Sequence, residues 1–294
     1  MSFGYQVLGF GSGGEAATGN DLGIFGYGSP GPVNLTNLVS NVGVVSADVT
    51  GVGTARDSVS ATEYGGDKGI FGWGYVGGNK SMSNLVSNTG VVATDVAYPG
   101  SSNARMRAAC AYGGDKGMYG FGYGNPNVNQ NFINLISNVG VVANDSSYVG
   151  TARRALAATE YGADTAIFYN GTADPFTNVS NLVSNTGVIA TDTTGVGEER
   201  GSLKGCKYGG DKGIFAYGSG YGGYKNTINY VSNTGVIQTD TTGVGTARGD
   251  PAATQYGGDK GIFAYGYETP SQRNMSNLVS NTGVVSTDVT GVGT

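Results

Sequence analysis

One aspartate recurs in each of six similar stretches of this chain, and regularly spaced carboxylates are the side chains here best suited to chemistry. The six are Asp48, Asp95, Asp145, Asp192, Asp240 and Asp288. Such a set could form a ring of metal ligands or of acid groups. Alternatively, each aspartate caps a turn or pairs with an arginine of its own repeat. We favour the second interpretation, because six identical sites are typical of a repeated scaffold.

Histidine is absent from the sequence. Its absence excludes Ser-His-Asp and Cys-His nucleophile arrangements and the usual histidine-bearing metal centres. Residues 9–14 fit a glycine motif that binds dinucleotides in other proteins, but a chain with 55 glycines matches that motif by chance. We therefore predict no catalytic residue, no metal and no cofactor, and we expect that the protein is not an enzyme.

The two cysteines, Cys110 and Cys206, each precede a repeated tyrosine by two residues, at one equivalent position of two non-adjacent repeats. In the other repeats that position is held by Thr18, Thr62, Thr159 and Thr254. A disulfide requires Cα atoms within about 7 Å, which equivalent positions in separated repeats do not provide. We expect two small, buried thiols.

Charge and hydropathy exclude two classes of partner. A net charge of −5 and a pI near 4.7 argue against a phosphate-binding surface, so we predict no nucleic acid partner. No stretch approaches the roughly 20 apolar residues of a membrane span, and we predict no membrane insertion. The first ten residues have no basic start and no long apolar run, so we expect no signal peptide.

Six repeats of about 48 residues organise the chain. The asparagine of the phrase NTG or NVG falls at positions 41, 88, 138, 185, 233 and 281, with spacings of 47, 50, 47, 48 and 48 residues. No apolar pattern with a helical period occurs in any repeat. Each repeat instead predicts four short strands, joined by a GGDK turn and an SNTG turn whose glycine, aspartate and asparagine residues tolerate positive φ.

The second strand of each repeat predicts how the repeats pack. Strict alternation places Phe25 and Tyr27 on one face and Ile24 and Gly26 on the other. The aromatic face of one sheet can then fill the space left by the glycines or alanines of the next. We predict an all-β fold, a six-bladed β-propeller with four-stranded antiparallel blades. The expected blades are residues 11–54, 55–103, 104–151, 152–198, 199–246 and 247–294.

The repeat resembles the kelch family in its order of elements. The matching features are the apolar strand KGIFGWG (68–74), Leu85 and Val86 in the next strand, and a connector arginine at Arg105. The counterparts of that arginine are Arg56, Arg153, Arg200 and Arg248. The phrases NLVSNTGVV and TDTTGVGTAR are also similar to repeat arrays in virion proteins of tailed bacteriophages. The resemblance implies a virion protein; the alternative is an extracellular or cytoplasmic soluble protein.

The loops between the second and third strands differ from repeat to repeat, whereas the turns at the other side are nearly uniform. These loops span residues 29–36, 75–83, 123–133, 172–180, 219–228 and 267–276. Exposed aromatic rings with amides and charges suit glycan stacking or a protein hot spot. The candidate ligand-binding residues are Tyr75, Lys80, Gln130, Asp174, Phe176, Tyr221, Tyr224, Tyr267 and Arg273.

These observations predict a non-enzymatic structural or recognition protein, an appendage or decoration of a phage particle. Its expected partners are other virion or structural proteins, a second copy of itself, or a cell-surface glycan. The alternative is a polysaccharide-degrading propeller, a glycosidase or lyase, with Asp174 or Glu199 as its acids.

Residues 1–10 have no counterpart in the repeats, and we expect them to form a separate N-terminal arm. Strong β-formers occur there: Phe3, Tyr5, Val7 and Phe10. A segment of this kind is an aggregation hazard in water, so we expect it to bind a blade edge or a neighbouring subunit. Deletion of the arm should leave the propeller folded.

Overall fold

The computed structural model describes residues 6–9, 21–98, 104–148, 150–291 and 293, with side chains from residue 21 onward. Within those residues the chain is all-β, its strands pair antiparallel and it contains no helix, and hence no helix that could cross a membrane. The predicted all-β class is confirmed. Six main sheets follow one another along the chain, each formed by about one repeat.

The first three sheets contain thirteen strands. The first sheet is formed by β1 (Gln6–Gly9), β2 (Gly23–Gly28), β3 (Val33–Val39) and β4 (Val49–Thr50). The second is formed by β5 (Ser60–Tyr64), β6 (Lys68–Gly72), β7 (Met82–Val86) and β8 (Val96–Ala97). The third is formed by β9 (Ala104–Arg105), β10 (Ala108–Tyr112), β11 (Lys116–Gly124), β12 (Val128–Ile136) and β13 (Ser146–Ser147).

The other three sheets and two small rim sheets contain the remaining strands. The fourth sheet is formed by β14 (Ala157–Tyr161), β15 (Thr165–Tyr169) and β16 (Ser180–Val183). In the fifth repeat the strands are β17 (Arg200–Gly201), β18 (Lys204–Tyr208), β19 (Lys212–Ala216), β20 (Ser219–Gly220), β21 (Gly223–Tyr224) and β22 (Ile228–Val231). In the sixth they are β23 (Ala252–Tyr256), β24 (Lys260–Ala264), β25 (Tyr267–Glu268), β26 (Ser271–Gln272), β27 (Met275–Val279) and β28 (Val289–Thr290).

Within the fifth repeat, β18, β19 and β22 form the main sheet, and β17, β20 and β21 form a small sheet at its rim. The sixth repeat divides in the same way, with β25 and β26 at the rim. The last strand of a repeat is short: in the fourth and fifth repeats it is reduced to the single bridges Ser180–Thr193 and Ile228–Thr241.

The first strand of the first sheet corrects two predictions. The segment Gln6–Gly9 pairs with β2, with Leu8 opposite Ile24 as Thr62 is opposite Ile70 in the second sheet. Residues 1–10 are therefore not wholly a separate arm, because Val7 and its neighbours supply a sheet strand. Thr18 is not the counterpart of Thr62, and it lies outside the described residues, as do Phe3, Tyr5 and Phe10.

Tight turns join the strands as their residue types predict. In the second sheet Gly65 and Gly66 have φ of 65° and 77°, values that side chains with a Cβ rarely adopt. The neighbouring turn packs on this one, because Asn88 Nδ2 donates to Asp67 Oδ2 at 2.9 Å. Asp67 also accepts a hydrogen bond from Lys68 Nζ at 2.8 Å. The turn charges are thus paired locally, as a solvated rim requires.

Strict alternation along the second strand is wrong at the second aromatic residue. Tyr27 has φ of 64° and lies with Ile24 against Phe71 of the second sheet, whereas Phe25 packs against Tyr265 of the sixth. A left-handed residue turns its side chain to the other face of the strand, so Phe25 and Tyr27 point to opposite neighbours. The same conformation occurs at Trp73, Phe121, Asn170, Tyr217 and Tyr265.

Rings of one sheet fill the space above glycines of the preceding sheet, as predicted. A Cβ added to Gly26 would lie 2.8 Å from Phe71 Cζ, and one added to Gly72 would lie 2.8 Å from Tyr119 Cζ. The third and fourth sheets repeat this contact through Gly120 and Phe168. Glycine is required at these positions because the ring occupies the volume of a side chain.

The first strands of the six sheets contact one another in sequence. Strand β5 contacts β10, β10 contacts β14, β14 contacts β18, and β18 contacts β23. Strand β1 contacts both β5 and β23. Each first strand therefore has two neighbours of its own kind.

Candidate functional site

The repeated aspartates belong to buried polar networks and not to a reactive ring. Asp95 Oδ2 accepts hydrogen bonds from Thr54 N and Oγ1, while Oδ1 accepts one from Asn84 Nδ2 at 2.8 Å. Asn84 Oδ1 accepts from the buried Arg56, whose Nη1 lies 3.6 Å from Asp95. The structural interpretation is confirmed for four aspartates that cap a turn in this way: Asp95, Asp192, Asp240 and Asp288.

The connector arginine of the third repeat is Arg107, which corrects the assignment of Arg105. Arg107 donates from Nη1 to Asn134 Oδ1 at 2.6 Å and from Nε to Phe121 O at 2.9 Å. Burial lowers the pKa of Arg107 to about 10, which leaves it charged at neutral pH. This connector is longer, since 50 residues separate Asn88 from Asn138. The buried position therefore falls two residues later, and Arg105 moves to the rim.

A cavity lies at the rim between the loops of the second and third sheets. Its volume is about 410 Å³. We name it the Arg105 groove, and it is lined by Tyr75, Gly78, Asn79, Arg105, Asn125 and Asn127. This volume falls in the range of about 300 to 1,000 Å³ that is typical of small-molecule sites.

Arg105 is held by rings. Its guanidinium carbon lies 4.5 Å from the ring centroid of Tyr75 and 5.5 Å from that of Tyr123. Its Nε is buried and has no hydrogen-bond partner in the described part of the chain. The nearby Arg154 also contacts Tyr123, but its guanidinium pairs with both oxygens of Asp174. Arg105 thus keeps its hydrogen-bonding capacity, and Arg154 does not.

Asp174 is exposed, and both of its carboxylate oxygens accept hydrogen bonds from Arg154. Hydrogen bonds from Arg154 lower the pKa of Asp174, and Asn129 Nδ2 also donates to this carboxylate. A carboxylate that is ionised and bound on both oxygens is poorly suited to donate a proton to a leaving group. The candidate acid of the rival enzyme hypothesis is therefore part of a rim ion pair.

The other predicted binding residues form separate pairs along the same rim. Phe176 meets Tyr221 edge to face at 5.6 Å, and Tyr224 meets Tyr267 at 6.0 Å. Arg273 Nη2 donates to Glu268 Oε2 at 2.6 Å. Lys80 bridges through its backbone to Ala104, the residue before Arg105. The structure therefore brings Tyr75 and Lys80 to the groove and places the other residues beside later sheets.

Gln130 is not a loop residue, which corrects its selection as a binding residue. The predicted loop 123–133 is reduced to residues 125–127, because β11 and β12 extend as a long hairpin. Gln130 lies buried in β12, and its Nε2 donates to Val128 O. Residues 128–133 read VNQNFI, and this segment has no alternation of apolar and polar residues that predicts a strand.

Several residues of this region were not among the predicted binding residues: Arg105 in its rim role, and Asn79, Tyr123, Asn125, Asn127, Asn129 and Arg154. The doublet Arg153-Arg154 was one signal, since only one arginine can take the buried position. The pair Arg105 and Arg107 was another. Each repeat has one buried position for a connector arginine, so the second arginine of such a pair must lie elsewhere.

A second cavity of about 60 Å³ lies among strands β5, β10, β14, β18 and β23. It has room for a few water molecules only. Lys204 reaches this cavity, and burial lowers the pKa of Lys204 while it raises the pKa of Asp250 nearby.

Both cysteines are buried and are not linked by a disulfide, as predicted. No group of three or more acidic or cysteine side chains able to hold a metal occurs among the described residues.

No family model matches the chain, and no curated protein matches it significantly. A solved structure of YjhT is similar in fold, with a TM-score of 0.65 and 13% sequence identity. The match covers 94% of this chain and 97% of YjhT. At this identity the likeness is one of fold alone.

Proposed function

We propose that the protein is a non-enzymatic recognition module built on a closed six-bladed β-propeller. One ring–ring contact between each pair of neighbouring sheets supports the closed ring. The contacts are Tyr27–Phe71, Trp73–Tyr119, Phe121–Phe168, Tyr169–Phe215, Tyr217–Phe263 and Tyr265–Phe25. The series returns to its starting sheet, as blades around an axis must.

Contacts near the two ends of the chain support the same closure. A Cβ added to Gly293 would lie 2.7 Å from Asp48 Oδ1, and one added to Gly245 would likewise lie against Asp288 Oδ1. The end of the sixth repeat therefore meets the first sheet as the fifth meets the sixth. We propose that Gln6–Gly9 is the innermost strand of the first blade, and that the other blades follow the repeats.

The observation that carries the recognition role is a series of contacts across the loop face. It runs from Tyr75 through Arg105, Tyr123 and Arg154 to Asp174, and so joins loops of three consecutive sheets. Rigid aromatic and arginine side chains on one surface are typical of binding hot spots. The turn face lacks such a series in the described residues, because its charges pair within single turns.

We propose that the partner is a cell-surface glycan or a protein of a phage particle, and that the protein is located in the virion as an appendage or decoration. The phrase similarity to phage repeat arrays supports the location. Immunogold labelling of purified particles tests it, and label confined to unassembled protein would contradict it.

A polysaccharide panel tests the recognition role. The purified chain is titrated against each polysaccharide by calorimetry, and reducing ends are measured over a day. We expect saturable binding without release of sugar. The loop-face variant Tyr123→Ser/Tyr221→Ser should lose binding, while the turn-face variant Val141→Ser/Val188→Ser should retain it. Val141 and Val188 are exposed, so the turn-face variant should fold normally.

Two results would contradict the proposal. Sustained release of reducing sugar would favour the glycosidase or lyase. Equal binding by the loop-face and turn-face variants would place recognition elsewhere on the molecule.

A further inference from the structure

The charges around the Arg105 groove are unbalanced in favour of cations. Arg105 lies in the groove, and Lys80 lies beside it through the backbone bridge to Ala104. Neither forms an ion pair in the described part of the chain. The other rim cations of that part each have an acid: Arg154 has Asp174, Lys225 has Glu198, and Arg273 has Glu268.

Asp57 is joined to this groove through its backbone, since it bridges to Tyr75. Its carboxyl is buried and accepts a hydrogen bond from Ser58 Oγ at 2.8 Å. Burial raises the pKa of Asp57, with Ser58 and the charge of Arg105 acting in the opposite direction. Asp57 is not within ion-pair distance of Arg105, so its influence is partial and the open side of the groove remains positive.

The geometry of Arg105 suits a bound anion. The rings of Tyr75 and Tyr123 hold the guanidinium and limit its rotamers. A guanidinium restrained in this way loses little entropy when it binds a carboxylate or sulfate through two parallel hydrogen bonds.

The remaining lining suits hydroxyl groups. Three amides, from Asn79, Asn125 and Asn127, line the groove with the Tyr75 ring, and no acidic side chain occurs among its described lining residues. Asn79 Nδ2 donates to Tyr123 O, so the other two amides are the ones offered to a ligand. Amides both donate and accept hydrogen bonds, and an aromatic ring covers the apolar face of a sugar. A volume of about 410 Å³ accommodates one or two sugar rings.

We propose that the Arg105 groove binds an acidic saccharide, with the carboxylate or sulfate on Arg105 and the hydroxyls on Asn125 and Asn127. This inference rests on the proposed recognition function and names the ligand class of the same face. A neutral sugar would leave the Arg105 guanidinium without a charged partner, which costs affinity. The groove therefore discriminates by charge.

The test uses matched oligosaccharides in calorimetry. Trigalacturonate is compared with its methyl ester, which keeps the backbone and loses the charge. A sulfated galactan tetrasaccharide and its desulfated form distinguish sulfate from carboxylate. We expect the charged member of at least one pair to bind about tenfold or more tightly. We also expect its binding to weaken as salt rises.

Three variants locate the binding. Arg105→Gln should reduce affinity for the charged ligand about tenfold or more, and Arg105→Lys should retain part of it. Lys212→Gln, whose side chain pairs with Asp211 in a turn at the opposite face, should bind normally. If Arg105→Gln does not fold, Asn127→Asp serves instead, since aspartate tolerates the φ of 69° found there. Its added charge should repel the acidic ligand and leave the neutral one unaffected.

The outcomes separate this inference from the proposed function. Equal binding of charged and neutral ligands, or undiminished binding by both groove variants, would overturn the acidic-saccharide assignment. If only neutral polysaccharides bind, and the loop-face variant loses them, recognition stands and this inference falls. If no saccharide and no virion protein binds, both fall.

Discussion

The seam between the third and fourth sheets and the seam between the fourth and fifth are packed with different residues at equivalent positions. At the first, Gly120 leaves space, and the left-handed Phe121 packs on Phe168 at 5.2 Å. The buried Arg153 lies 4.1 Å above the Phe121 ring. It donates to Asn170 O, to Thr151 O and to an asparagine side chain.

At the second seam the large and small residues are exchanged. Tyr169 takes the position of Gly120 and packs on Phe215 at 5.2 Å, while the left-handed residue is Asn170. Tyr169 hydroxyl donates to Val196 O, as Tyr27 donates to Val52 O from the left-handed position of the first sheet. Arg200 keeps one hydrogen bond, from Nη2 to Asn229 Oδ1. Its Nε and Nη1 have no hydrogen-bond partner among the described residues.

Each of these two seams therefore requires one aromatic ring against the phenylalanine of the next sheet. That ring comes either from the left-handed residue, as at Phe121, or from the residue before it, as at Tyr169. When the ring comes from Tyr169, the aromatic surface beneath the arginine is lost. Glu198 and Asp240 then approach Arg200, at 3.7 and 3.8 Å. A buried guanidinium with poor hydrogen bonding stabilises less than one that is fully satisfied. The seam between the fourth and fifth sheets (the fourth seam) should therefore contribute less to stability than the seam between the third and fourth sheets (the third seam).

The largest expected effect comes from reversing the exchange at the fourth seam. Tyr169→Gly alone should lower the free energy of unfolding by about 4 kcal/mol, because a buried ring is lost. Asn170→Tyr alone should cost about 1 to 3 kcal/mol through overpacking. The double variant should recover at least half of the larger loss, since it reproduces the Gly-aromatic order of the third seam. Urea unfolding followed by Trp73 fluorescence measures all three.

A double-mutant cycle gives the control for this exchange. If the two positions were independent, the losses of unfolding free energy from the two single variants would add in the double variant. Additive losses for Tyr169→Gly and Asn170→Tyr would show that the two positions do not share one ring site, and the comparison of the seams would fail.

The next largest effect distinguishes the two arginines. Arg153→Met should cost about 3 to 5 kcal/mol, because it removes one partner of a satisfied buried network. Arg200→Met should cost at least about 2 kcal/mol less, since two of its donors are unpaired already. Thermal and urea unfolding of the matched pair checks the order. Equal losses would contradict the weaker seam.

A smaller effect is expected where glycine makes room for a ring. Gly120→Ala should lower the free energy of unfolding by about 1 to 3 kcal/mol, because its Cβ would lie 2.8 Å from Phe168 Cζ. Ala216→Gly is the matched change at the equivalent position of the fifth sheet, and should cost about 1 kcal/mol or less. If Gly120→Ala is neutral, the ring has room to shift and the seam is looser than its contacts indicate.

The smallest effect concerns acid stability at the third seam. Partial burial raises the pKa of Asp192, but hydrogen bonds from Asn181 and Thr151 outweigh it, with help from Arg153, so the pKa lies below 3.8. Its contribution is therefore present above the unfolded pKa of about 3.9 and is lost as pH falls through the folded value. Asp192→Asn should cost about 1 kcal/mol at pH 7, and less below pH 4.

The exposed Asp174 provides a comparison for this pH dependence. Arg154 lowers the pKa of Asp174 as well, but solvent screens that pair. Asp174→Asn should therefore leave the acid limb of the stability curve nearly unchanged. A larger shift for Asp174→Asn than for Asp192→Asn would contradict a structural role for the repeated aspartate.

Much of the fold was predictable because its signals are local or repeated. Glycine pairs identified the turns, since few other residues adopt their φ values. The alternation of ring and glycine identified sheets covered on both faces, and the contact of Phe71 with Gly26 confirms it. The aspartate of each repeat was assigned to structure because it recurs, and Asp95 bears this out. The candidate site was predictable only as a face, through its variable loops.

The sequence by itself determined the β class, the repeat length and the partners of residues that meet within one hairpin, since neighbours in sequence set those interactions. The tertiary structure alone decided which of Arg105 and Arg107 is buried and where Gln6–Gly9 pairs. It also decided which way Tyr27 turns. Each of these depends on space left by another sheet, and the burial of a ring or guanidinium there outweighs the local backbone preference.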